Sequence, residues 1–135
     1  MPTVFEKLNL KEHQEILVLN APGSFEKELH RLRHVKVMRQ IAEVKSVAFA
    51  LAFVTKQAEL DRLSKALAAS AVGDALLWFA YPKATSKKYA CEFNRDDGWD
   101  ILRASGFDSV RQVAIDDDWS ALRFRRVEFI KRPTR

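Results

Sequence analysis

Short apolar runs, each closed by a polar residue, set the pattern of this 135-residue chain. Ile16, Leu17, Val18 and Leu19 lead into Asn20, and the eight apolar residues 47–54 lead into Thr55 and Lys56. Residues 75–81 lead into Pro82 and Lys83. Runs of this length without alternation fit strands covered on both faces, as in a parallel sheet. Between them the spacing turns helical. Phe25, Leu29 and Leu32 recur at i, i+4 and i+7 behind the turn Ala21, Pro22, Gly23, Ser24. That predicts a helix capped by Ser24, with Glu26 and Glu28 in its first turns where the helix dipole favours acids. Leu60, Leu63 and Leu67 mark the inner face of a second helix, capped by Thr55, with Gly73 ending the turn behind it. Val4, Phe5 and Leu8 give a short opening helix, and Val35 and Val37 alternate with polar neighbours in a short second strand.

The last third reads differently. Residues 83–95 form a polar loop, followed by a helix from about Asp96 to Ser105 with Trp99 and Leu102 inward and Gly106 behind it. Val110, Val113 and Ile115 mark a fifth strand, Asp116, Asp117 and Asp118 turn the chain, and residues 119–130 return as a sixth. The sixth strand changes phase: Leu122 and Phe124 share one face, Val127 and Phe129 the other. One extra residue near Arg125 and Arg126 restores a single buried face, so a bulge is expected there. The alternative is an edge strand apolar on both faces.

Strands alternating with helices imply parallel pairing through right-handed crossovers. The expected fold is one α/β domain over residues 1–135, a three-layer sandwich around a mostly parallel six-stranded sheet. Its strand order is 2-1-3-4-6-5, with an antiparallel C-terminal hairpin. The polar ends of the strands then gather along one edge, and the winding reverses between strands one and three, where open α/β sheets bind ligands. Asn20, Ser24, Thr55 and Lys56 are candidate ligand-binding residues at that crevice. Lys83, Ser86 and Lys87 join them from the polar loop, and Trp119 and Ser120 from the start of the last strand. Helix N-termini near Ser24 and Thr55 would offer backbone N–H groups to an anion. Lys83, Ser86, Lys87 and Lys88 would close over a phosphate or carboxylate. Trp119 would either stack on a flat ring or anchor the hairpin.

Composition narrows the classes. A chain this long buries roughly 65–70% of the surface it exposes when unfolded, and its 47% apolar content is that of a globular protein. The longest apolar run is far short of the ~20 residues a membrane helix needs. The first residues lack a secretion signal, so a cytoplasmic protein is expected and no membrane partner. Cys91 is the only cysteine, which excludes an internal disulfide and a Cys-rich metal site. Lys87 and Lys88 would lower its thiol pKa if they lay close. The net charge of +5 is concentrated at the end. Arg123, Arg125, Arg126, Lys131, Arg132 and Arg135 face one acid, Glu128, after residue 118, and the rest of the chain balances. That stripe either protects a charged edge strand or meets nucleic acid or an acidic partner. His30 and His34 lie one helical turn apart, but no third metal ligand stands near them in sequence. Three consecutive aspartates more often make a solvated turn than a cation site, so no metal is assigned. Nucleophile-elbow, phosphate-loop and dinucleotide signatures are absent, and the four glycines never cluster.

Three segments carry a resemblance: Ile16 through Pro22, Trp78 through Lys83, and Asp116 through Phe124. Together, over about Val4 to Arg126, the chain resembles a family of small bacterial proteins built on a domain of unknown function. That family is related in topology to Rossmann-like, S-adenosylmethionine-dependent methyltransferases. The resemblance implies that the first strand leads into a cofactor loop and the last two form the terminal hairpin. Asn20, Ala21, Pro22 and Gly23 stand where such enzymes usually carry an acid and several glycines, and Arg39 and Gln40 where a ribose-binding acid would be. The cofactor is therefore left unassigned. The leading expectation is a binding or regulatory module without catalysis, for a small anionic or nucleotide-like ligand. The rivals are a reduced methyltransferase-like enzyme and a nucleic-acid or acidic-partner binder. A homodimer paired across the sixth strand is a further expectation.

Overall fold

A computed structural model describes residues 3–11, 13–41, 45–94 and 96–130. Helix α1 (Val4–Lys7) starts where the Glu6 N–H donates to the Thr3 hydroxyl at 3.2 Å. Strand β1 (Glu15–Leu19) follows, then a single 3₁₀ turn (Gly23–Phe25), helix α2 (Glu26–His30) and strand β2 (Lys36–Met38). Strand β3 (Val47–Phe53), helix α3 (Gln57–Ser70) and strand β4 (Ala71–Pro82) build the centre. Helix α4 (Asp100–Ala104), strand β5 (Phe107–Ala114) and strand β6 (Trp119–Arg126) complete the sheet, and a 3₁₀ turn (Val127–Phe129) follows.

The sheet order is β2-β1-β3-β4-β6-β5, as the sequence predicts. β1, β2, β3 and β4 pair in parallel, while β6 pairs antiparallel with both β4 and β5. Five strands therefore share one direction. Period-two alternation splits the apolar residues between two cores. Leu17, Ala50, Leu77 and Phe79 pack with Leu60, Leu63 and Leu67 of α3 on one side. Ile16, Val18, Phe49, Leu51 and Trp78 pack with Phe5, Phe25 and Leu29 on the other. Each fully buried side chain of this size contributes about 1.5–3 kcal/mol. The Trp78 indole N–H donates to the Leu8 carbonyl at 2.9 Å, pinning the end of α1 over β4.

Several local expectations are corrected. Ser24 lies inside the 3₁₀ turn and caps nothing; Pro22 precedes that turn, and α2 has no side-chain cap. Because α2 ends at His30, His34, at φ +59°, does not share a helix with it. Thr55 is not the cap of α3 either: Lys56 holds that position. α3 passes directly into β4, so Gly73 does not end a turn but sits inside the strand at φ +52°, where the β3–β4 register shifts. The fourth helix is shorter than expected, spanning only Asp100–Ala104. The expected bulge near Arg125 and Arg126 is instead on β5, where the register shifts between Ser109 and Arg111 and Val110 is the extra residue. The phase change after Phe124 has a simpler cause: β6 ends at Arg126, and Val127 and Phe129 are exposed on the following turn. The basic strand β6 is interior, and β5 forms the edge. With neighbours on both sides, β6 has no free edge to pair across a dimer. Lys131, Arg132 and Arg135 lie outside the described residues.

Candidate functional site

The strand ends meet at the carboxyl edge, held by loop-to-loop hydrogen bonds. The Lys83 N–H donates to the Asp118 carbonyl at 2.8 Å, and the Ser86 hydroxyl donates to Asp118 Oδ1 at 2.9 Å. The same hydroxyl accepts the N–H groups of Lys88 and Tyr89 at 3.3 and 3.2 Å. Ser86 is thus occupied in shaping the loop. Asp116 Oδ1 accepts the N–H groups of Asp118 and Trp119 at 2.8 and 2.9 Å, a side-chain-closed turn. The triple aspartate is engaged in turn geometry, and among the described residues no group of three or more ligand side chains is placed to hold a metal.

At the switch point between β1 and β3 the side chains are engaged with one another. Asn20, at φ +59°, donates its amide to the Phe53 carbonyl at 3.4 Å and to Glu59 Oε2 at 3.2 Å. Phe25 packs on Phe53 with ring centroids 5.0 Å apart, and Trp119 meets Phe53 edge-on at 5.1 Å. Trp119 is only 4% exposed, so it anchors the hairpin and offers no open ring face. The N-terminus of α3 has also found its anion. Glu92 Oε1 accepts the Gln57 N–H at 2.8 Å, while the Glu92 N–H donates to the Thr55 carbonyl at 3.0 Å. A carboxylate from 35 residues away supplies the cap that Thr55 does not.

The open space lies one strand further along, beneath the 83–94 loop. A cavity of about 850 Å³ is lined by Lys83, Ser86, Tyr89, Cys91, Glu92 and Ser120, with Tyr81, Phe93, Asp96 and Gln112 among its other walls. That volume falls in the range of small-molecule sites, about 300–1,000 Å³. Gln112 donates to the Tyr81 hydroxyl at 2.8 Å across one wall. Tyr81 and Phe93 rings stand 6.1 Å apart, and Tyr89 packs at a tilt against Trp119 with centroids 4.9 Å apart. Of the nine candidate residues, Lys83, Ser86 and Ser120 line this chamber; Asn20, Ser24, Thr55, Lys56, Lys87 and Trp119 do not. Lys87 and Lys88 are exposed on the loop's outer side. Burial pushes the Cys91 thiol pKa up, outweighing a backbone hydrogen bond from Phe93, so the two lysines do not activate it. Glu92, Gln112 and Asp96 are missed by the sequence reading, since nothing in their local pattern distinguishes them from solvated loop and edge residues.

With this geometry in place, the chain can be set beside known proteins. No protein-family model matches it, and no curated protein does. Solved structures do. A SAM-dependent methyltransferase from Aquifex aeolicus superposes with a TM-score of 0.63 at 14% identity, over 92% of this chain and 88% of the other. The N-methyltransferase NodS from Bradyrhizobium japonicum gives 0.56 at 12% identity, over 90% and 91%. A Methanococcus jannaschii fibrillarin pre-rRNA processing protein gives 0.54 at 13%, over 86% and 67%. The fold is a Rossmann-like methyltransferase fold. Identities this low establish the architecture and leave the chemistry to the site. Among the described residues no helix is long and apolar enough to cross a membrane.

Proposed function

We propose that this chain is a reduced methyltransferase-like protein, of the small bacterial family its three segments resemble, that takes a nucleoside-sized ligand in the chamber beneath residues 83–94. The observation that carries the reading is the insertion of antiparallel β6 between β4 and β5, in an architecture matched over 92% of the chain by a SAM-dependent methyltransferase. The lining sets the ligand's charge. One lysine, Lys83, stands against two carboxylates, Glu92 and Asp96, with tyrosine and phenylalanine rings beside them. That favours a zwitterionic or cationic molecule with a flat ring, such as an S-adenosyl compound, over the simple anion the loop lysines suggest. Lys83 would meet a carboxylate of the ligand and Ser120 a hydroxyl. Asn20 and Phe25 are already engaged by Glu59 and Phe53, which favours the chamber over the β1–β3 crevice as the ligand's position in this reading. A cytoplasmic location accompanies this reading.

A ligand of the native state must raise its stability. Saturating S-adenosylmethionine or S-adenosylhomocysteine is expected to raise the melting temperature by a few degrees, and Lys83→Ala to weaken binding by about tenfold. An unchanged melting temperature with both compounds removes the proposal. A second reading, a binding module without catalysis, draws support from Asn20 being held by Glu59 and from Glu92 occupying the α3 terminus. It predicts the same ligand response with the ligand recovered chemically unchanged in the presence of candidate acceptors.

A further inference from the structure

Arg111 on β5 and Arg123 on β6 stand directly opposite one another in the antiparallel register. Alternation along the strands puts both on the face that carries Val113, Ala121 and Trp119, the side of α1 and α2. Like charges at directly opposed positions destabilise a sheet, because the Cβ atoms lie only about 4.5–5.5 Å apart. Arg125, two positions along that face, is neutralised by Asp74 through a two-pronged fork whose Nε arm measures 2.7 Å. Arg126, next along the chain, donates to the Ala71 carbonyl and lies over the Phe107 ring. Neither Arg111 nor Arg123 has an ion-pair partner among the described residues. Arg123 is half-buried, and its Nε is enclosed without a hydrogen-bond acceptor. Burial, and after it the charge of Arg125, lowers its pKa; the Asp74 carboxylate opposes that shift, and Arg111 adds a smaller push in the lowering direction. A half-buried guanidinium facing a second cation is a costly arrangement unless an anion neutralises the pair.

We propose that Arg111 and Arg123 together form a binding site for an oxyanion of the phosphate class, separate from the chamber, which neither residue lines. A phosphate group matches the chemistry on two counts. Its charge turns cross-strand repulsion into attraction. Its oxygens satisfy the planar fork of a guanidinium in pairs. The site does not depend on the proposed function of the chamber.

The experiment is thermal unfolding of the full chain in inorganic phosphate and, separately, with a ten-residue oligothymidylate, each against chloride at matched ionic strength. Phosphate is expected to raise the melting temperature by about 3–6 °C beyond chloride when in roughly tenfold excess over its dissociation constant. Arg111→Gln, an exposed position on the edge strand, is expected to melt higher than the native chain in chloride and to lose the phosphate-specific increment. Arg123→Lys keeps the charge but not the fork, and is expected to weaken the response about tenfold. A response to free phosphate assigns a small phosphorylated ligand; a response to the oligonucleotide alone, lost in Arg111→Gln, assigns a nucleic-acid backbone. No specific response to either, or one undiminished in Arg111→Gln, overturns the proposal.

Discussion

Gly98 illustrates how little freedom single positions have around the chamber. It adopts φ +105°, and a Cβ built there would lie 2.7 Å from Phe93 Cβ and 2.8 Å from Gln57 Oε1. Its carbonyl accepts the Gln57 side-chain amide at 2.8 Å, so it cannot simply move away. Gly98→Ala is therefore expected to destabilise the protein by about 2 kcal/mol or more, from left-handed strain and the clash together. Urea unfolding measures it, and a change below about 0.5 kcal/mol would contradict the packing. Cys91 faces the chamber, but its raised thiol pKa keeps it protonated at neutral pH, unlike a thiol poised for attack.

At the scale of elements, the 83–94 segment is fastened at both ends: by Ser86 to Asp118 and by Glu92 to the start of α3. Glu92→Ala is expected to cost about 1 kcal/mol and to speed amide exchange in the first turn of α3. Glu92→Gln, which retains a carbonyl acceptor, is expected to lose less. Unchanged exchange at Gln57 in the alanine variant would show that the cap does not hold the helix. This wiring also marks the boundary of what the sequence discloses. Strands β1, β3 and β4 are legible because an unbroken apolar run of strand length, bounded by polar residues, must be covered on both faces. The leucines at 60, 63 and 67 give α3 just as directly, through helical spacing. Strand order follows from crossover handedness. The cap at Gln57 is not legible, since its acceptor lies 35 residues away in a stretch with no periodicity. The sequence puts Asn20 at the end of β1 beside β3, where it lies, but does not disclose that Phe25, whose spacing marks it only as part of a helix stripe, packs on Phe53 there. The β5 bulge is hidden because the phase change in residues 119–130 has two causes with one signature, an inserted residue or the end of a strand.

For the whole molecule, acid sensitivity follows from two forked ion pairs. Hydrogen bonds from Arg125 hold the Asp74 carboxyl below its ordinary pKa, and those from Arg39 do the same for Glu26. A carboxyl with a lowered folded-state pKa contributes stability in full above its unfolded value, near pH 4. It loses that contribution as pH falls through the folded value. The urea midpoint is expected to drop on acidification below about pH 4, and Asp74→Asn to flatten that drop. Both pairs are partly solvated, so added salt shrinks the difference. An unaltered acid limb in Asp74→Asn would show that the β4–β6 fastening carries no measurable stability.

The position of β6 bears on how the molecule is made. Of the six described strands it leaves the ribosome last, yet it is not outermost in the sheet: it slots between β4 and β5 and, among the described strands, is the one that pairs with β5. Until residues 119–126 emerge, the nascent chain holds β4 with one bare edge and its fifth strand with no neighbour at all. Translation thus delivers the closing piece after everything it must join, and a chain stalled before Trp119 is expected to be bound by chaperones or degraded more readily than the full chain.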